Sequence, residues 1–131
     1  MAVLGVGIDL VEVGQAQRML ERWGDRLLRR VLTEQERSYV LRFPRPAKHL
    51  AARLAAKEAV YKALQGVTGS RGIGWREIEV ERDAEGRPGV RLHREAAEVA
   101  LAGGVVRISL SLSHTEQTAG AVAVVEGADR V

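Results

Sequence analysis

From Leu50 to Leu64 the chain reads LAARLAAKEAVYKAL, with no glycine or proline. These are among the strongest helix formers, and Pro44 and Pro46 lie just upstream, so the stretch predicts a helix entered from an unwound segment. At about 100° per residue, Ala52, Ala56, Ala59 and Ala63 fall in one narrow stripe, while Leu50, Leu54, Tyr61 and Leu64 fill much of the opposite side. A stripe without bulk admits another backbone, which makes this a central helix packed on more than one side.

Four charges interrupt that helix. Arg53 and Lys57 are spaced i, i+4, as are Glu58 and Lys62, which puts each pair about 40° apart on the helix surface. Two readings follow. In one, these are solvent-facing stripes, with Glu58 and Lys62 an ion pair worth about 0.2–0.5 kcal/mol. In the other, a mostly buried helix keeps an acid and several bases because they hold a metal and an anionic substrate. Helix spacing alone does not choose between them.

Met1 to Asp9 reads as a buried strand, with Gly5, Gly7 and Asp9 on one face and Leu4, Val6 and Ile8 on the other. The glycine face leaves room for close packing, and Asp9 is expected at its exit. An aspartate there serves as a helix N-cap, and Asp9-Leu10-Val11-Glu12 has the spacing of a capping box. It also suits a divalent cation, since magnesium takes one or two carboxylates plus waters and substrate phosphates. That second reading needs another carboxylate nearby.

The 131 residues suit one domain over residues 1–131, and 46% hydrophobic against 28% charged residues is the balance of a folded core. Without cysteine there is no disulfide framework, zinc–thiolate site or thiol nucleophile, and His49, His93 and His114 are too scattered for a metal-binding pattern. The first residues lack the basic n-region and cleavage motif of a signal peptide, and no apolar run approaches membrane-spanning length; the expected location is the cytoplasm, with no membrane partner. A net charge of +3 with pI near 9.8 favours an acidic partner.

Further along, Glu12 to Trp23 predicts a helix with Arg18 and Arg22 on one side, and Asp25 to Val31 a short second helix carrying Arg26, Arg29 and Arg30. Thr33-Glu34-Gln35-Glu36 has the capping-box spacing and opens a helix to about Leu41, followed by an extended link over Phe43 to Pro46. Gly66 to Gly74 reads as a flexible loop without Walker A spacing. Strands are expected over Trp75 to Glu81, Val90 to Leu92, Val105 to Ser113 and Thr118 to Val125, with a helix over Arg94 to Ala102. Val106, Ile108, Leu110, Leu112 and His114 should share a face, and the last strand is apolar on both. Ser113 beside His114 is no hydrolase dyad, because neighbours on a strand point to opposite faces. The charge alone suggests nucleic acid, but no aromatic stacking platform, zinc finger or helix-turn-helix supports that partner.

Three segments taken together, Gly5 to Glu12, Arg53 to Ala59 with Lys62, and Ser111 to Thr115, closely resemble the signature blocks of the holo-acyl-carrier-protein synthase family. The resemblance covers nearly the whole chain, including Leu32-Thr33 with Glu36, and Gly86-Arg87-Pro88. It implies a small α+β fold of the 4′-phosphopantetheinyl transferase type, with an antiparallel sheet packed around the long central helix. It implies transfer of the 4′-phosphopantetheine arm of coenzyme A to a serine of apo acyl carrier protein, releasing adenosine 3′,5′-bisphosphate, and a homotrimer with active sites between subunits. By the same resemblance Asp9 and Glu58 bind Mg2+, Lys62 meets the coenzyme A phosphates, and Arg53, His114 and Thr115 hold its phosphorylated nucleotide end. Lys57 either orients the metal ligand or touches phosphate. Arg18 and Arg22 dock the acidic carrier on the first helix, where Gln15 departs from the arginine common in the family.

Overall fold

The computed structural model describes residues 1–67 and 72–129. The elements are β1 (Ala2–Glu12), α1 (Val13–Trp23), α2 (Asp25–Val31), α3 (Glu34–Leu41), α4 (Pro46–Leu64), a single 3-10 turn at Trp75–Glu77, β2 (Ile78–Arg82), β3 (Pro88–Leu92), α5 (Arg94–Ala102), β4 (Val105–His114) and β5 (Thr118–Gly127). They form an α+β fold in which α4 is the hub. It packs on β1, β5, β2 and β4 and on α1 and α3.

The helix starts at Pro46, four residues before the expected point. Proline at the first helical position loses no hydrogen bond, because that N–H has no intrahelical partner in any case. Leu50, Ala51, Ala55, Ala56, Ala59, Val60, Ala63 and Leu64 are wholly buried. Toward the sheet, Ala56, Ala59, Val60 and Leu64 join Ala121, Ala123 and Val125. Toward the other helices, Leu50, Ala51 and Leu54 join Ala16, Leu28, Leu32 and Val40.

β5 lies between β1 and β4, antiparallel to both, and β2 and β3 form a separate antiparallel hairpin. β1 lies directly on α4. A Cβ at Gly5 or Gly7 would overlap the backbone carbonyl of Ala63 or Ala59, which explains the small residues on both elements.

The strand runs three residues past Asp9, which pairs with Ala121 inside the sheet. Asp9 is therefore neither at a strand exit nor an N-cap: Glu12 holds that place ahead of α1, with no side-chain cap bond. The Thr33–Glu36 capping box is present, with Glu36 N donating to Thr33 Oγ1 and Thr33 N to Glu36 Oε1. Two strand expectations change. Trp75 to Glu77 form a turn, tied by Gly74 N donating to the Glu77 carboxylate, and the strand proper starts at Ile78. A register shift between Val105 and Arg107 takes Val106 out of phase with Ile108, Leu110, Leu112 and His114. The expected loop over Gly66 to Gly74 falls partly outside the described residues.

Candidate active site

The four charges of α4 divide into two stripes with different surroundings. Glu58 borders the Trp75 turn, and Lys62 faces β1. There Lys62 Nζ donates to the Ile8 carbonyl at 3.0 Å and pairs with Asp9 Oδ1 at 3.1 Å. Among the described residues Glu58 makes no ion pair within 4.0 Å. The helix pair that the spacing offered is replaced by a contact between elements far apart in sequence.

Asp9 owes its position to the glycines before it. Gly5, Gly7 and Asp9 share a strand face, and with Gly7 seated on the Ala59 carbonyl the next side chain on that face meets α4. Asp9 is one-fifth exposed and Lys62 about half, so the pair is reachable from solvent. Glu58 also borders a cleft of about 120 Å³ walled by Lys57, Tyr61, Ile73, Gly74, Trp75 and Ile78.

The donor chemistry suits Mg2+. Asp9 and Glu58 offer carboxylate oxygens, and magnesium binds through one or two carboxylates with substrate phosphates and water completing its shell. No group of three or more His, Cys, Asp or Glu residues gathers among the described residues.

Arg53 and Lys57 point the other way, toward α3 and β2. Lys57 Nζ, 1% exposed, donates to Glu36 Oε1 at 2.7 Å, to the Trp75 carbonyl at 2.8 Å and to the Ile78 carbonyl. Its three protons are thereby used. Burial pushes the ammonium below its ordinary pKa, and the Glu36 carboxylate opposes that shift.

Arg53 is 2% exposed, and its Nε and Nη1 have no hydrogen-bond partner among the described residues. Its Cζ lies 4.2 Å from the centre of the Tyr39 ring, which Arg42 and Arg82 also approach, and these residues line a cavity of about 450 Å³. Burial is the main cause pulling its pKa down. Two buried donor nitrogens call for an acceptor, and a cavity lined by three arginines against Glu36 and Glu81 favours an anionic one.

His114 ends β4, exposed, beside a hairpin tip in which Thr115 Oγ1 accepts from Gln117 N and Thr118 N. That tip is tied to the start of α4 by Lys48 and Glu116 at 3.3 Å. His114 and Asp9 lie on the same sheet face, two strands and one pleat repeat apart, which is on the order of 12 Å. Of the expected residues, Lys62 meets Asp9, Glu58 and Lys57 border one cleft, Arg53 lies over Tyr39, and His114 and Thr115 sit at the hairpin tip that Lys48 ties to the start of α4. Arg18 and Arg22 are exposed on α1, with Arg22 over the Trp23 ring.

Sequence reasoning missed the partners of the buried charges. Glu36 was legible as a capping residue but not as the counter-ion of Lys57, and nothing marked Tyr39 as the platform for Arg53. The one available signal was that a lysine on a mostly buried helix needs a carboxylate.

The chain matches the 4′-phosphopantetheinyl transferase superfamily over residues 5–123. It is 44% identical to the holo-[acyl-carrier-protein] synthase of Serratia proteamaculans over 128 residues, covering 97% of this chain and 100% of that protein. Among solved structures it is similar to the holo-[acyl-carrier-protein] synthase of Neisseria meningitidis, with a TM-score of 0.84 and 30% identity, covering 95% of this chain and 99% of that one. It is also similar to the ACPS–CoA complex of Chronobacterium ammoniagenes, with a TM-score of 0.82 and 32% identity, covering 98% and 100%.

Proposed function

The chain belongs to the 4′-phosphopantetheinyl transferase superfamily, and from that premise we propose that it transfers the phosphopantetheine arm of coenzyme A to a serine of apo acyl carrier protein. The observation that carries this reading is the contact of Lys62 with Asp9 on the helical stripe that also bears Glu58. In this reading the two carboxylates and the ammonium are the groups that would meet a cation and a pyrophosphate.

The serine oxygen of the carrier attacks the phosphorus that bears the pantetheine arm, and the bond from that phosphorus to the bridging oxygen breaks. Adenosine 3′,5′-bisphosphate leaves with the bridging electrons. Asp9 and Glu58 would hold Mg2+, which when bound neutralises charge on the pyrophosphate oxygens. Glu58 is the better acceptor for the serine proton, because Asp9 already has the Lys62 ammonium as a partner. Lys62 stabilises the charge that gathers on the phosphate oxygens as the bond breaks. Arg53, with its two unpartnered nitrogens, and His114 with Thr115 take the phosphorylated nucleotide end.

Arg18 and Arg22 offer the acidic carrier a docking surface on α1, where electrostatic steering speeds encounter. We read the assembly as a homotrimer in the cytoplasm. The support is the outer sheet face, where Val6, Ile8, Leu10 and Val122 are between 38% and 68% exposed. Such a contiguous apolar surface favours burial against another chain. No helix among the described residues is long and apolar enough to cross a membrane. The test is the intact mass of apo carrier protein after incubation with coenzyme A and Mg2+: a gain of one phosphopantetheine supports the reading, and tight binding with unchanged mass refutes it.

A further inference from the structure

Lys57 adjoins Glu58 in sequence and lines the same cleft, but its ammonium, 1% exposed, is turned into the space between α3, the Trp75 turn and β2. There Glu36, itself 2% exposed, accepts three hydrogen bonds: Oε1 from Lys57 Nζ and Thr33 N, and Oε2 from Val80 N at 2.8 Å. Glu79, next to Val80, accepts from Thr33 Oγ1 at 2.6 Å and bonds His93 Nε2 at 2.9 Å. One carboxylate therefore fixes the first turn of α3, the middle of α4 and the start of β2.

A buried ion pair of this kind is weak evidence for stability, because desolvation of both charges offsets their attraction and apolar replacements often serve as well. What the pair secures is a geometry. Through Lys57 the Trp75 and Ile78 carbonyls are held on the turn of α4 that carries Glu58, and Trp75, Gly74 and Ile78 are the wall of the cleft beside Glu58. We propose that Glu36 is a positioning residue for the transfer reaction, acting through Lys57 to hold the Gly74–Ile78 wall against Glu58, and that Lys57 itself does not touch substrate. This rests on the transferase reading.

The test compares the parent, Glu36→Gln and Glu36→Gln/Lys57→Met, all carrying Trp23→Phe so that Trp75 is the sole tryptophan. Glu36→Gln leaves an uncompensated buried ammonium and lowers the melting temperature, while the double variant removes both charges and recovers part of it. Between the two variants the rate should run in the opposite order. A misplacement of about 1 Å can cost about 100-fold, so kcat should fall at least about tenfold in Glu36→Gln and further in the double variant, with KM for coenzyme A within about threefold of the parent. Acrylamide quenching of Trp75 should rise in the same order. A double variant whose kcat recovers with its melting temperature overturns the proposal, as does parent-like kcat in Glu36→Gln. Should Glu36→Gln not fold, the double variant decides against the parent by the same tenfold criterion. If the parent transfers nothing, the functional reading fails, and Trp75 quenching still reports whether the wall has been released.

Discussion

Lys62 Nζ lies 3.1 Å from Asp9 Oδ1 and so joins the helix to a strand residue 53 positions away, although Glu58 stands one turn earlier on the same helix. The ammonium therefore shares with any bound cation the carboxylate that would hold it. Lys62→Met should raise Mg2+ affinity without coenzyme A by about two- to fivefold, the scale of a partly exposed ion pair. The same change should weaken coenzyme A binding. Isothermal titration with each ligand measures both, and a fall in Mg2+ affinity would mean that Lys62 supports the metal site instead of competing for it.

Gly7→Ala tests the seat of β1 on α4. The added methyl would overlap the Ala59 carbonyl and crowd the Ala63 amide, both backbone atoms that cannot swing aside. Overpacking of a core costs about 1–3 kcal/mol, occasionally more, and this site should lie at or above the upper end. Urea unfolding gives the value. Parent-like stability would show that the strand can lift off the helix without loss.

His49 supplies a pH dependence. Its ring stacks on Phe43 at 3.6 Å between centroids, and burial, aided by the nearby Arg53, Lys48, Arg82 and His114, holds its pKa below the ordinary value. The unfolded chain binds this proton near pH 6.5, whereas the folded chain binds it only at lower pH. The stability contributed is thus full above about pH 6.5 and is lost as the pH falls through that value toward the folded pKa. His49→Phe keeps an aromatic ring and removes the titration. Between about pH 7.5 and 5.5 the parent melting temperature should fall more than that of the variant; parallel curves would contradict the assignment.

How much of this was legible in the sequence follows from the range of the forces involved. The body of α4, the Thr33–Glu36 capping box and the bounds of α2 and α5 depend on residues within a few positions, and those were read correctly. The continuation of β1 past Asp9 depends on pairing with Ala121, Gly120, Ala119 and Thr118, more than 100 residues on. Leu10 and Val11 gave no local sign of it. The pairing of Lys57 with Glu36 and of Lys62 with Asp9 is likewise tertiary; the i, i+4 spacing offers Lys62 a different partner, Glu58, and Lys57 only the like charge of Arg53. The site residues themselves were recognisable only as blocks in fixed order, since each block alone has an ordinary structural explanation.

The central claim, that Glu58 belongs to a metal-assisted transfer site, is tested most directly by following the intact mass of apo acyl carrier protein over time with coenzyme A and Mg2+, using the parent and Glu58→Gln. The substitution keeps shape and helix but removes a negative charge, so the fold should survive while the rate of phosphopantetheine addition falls by about 10²–10³, as for loss of one stabilising group in a transition state. A Glu58→Gln protein that modifies the carrier at the parent rate and with the same Mg2+ dependence would contradict the claim and make Glu58 a surface helix residue.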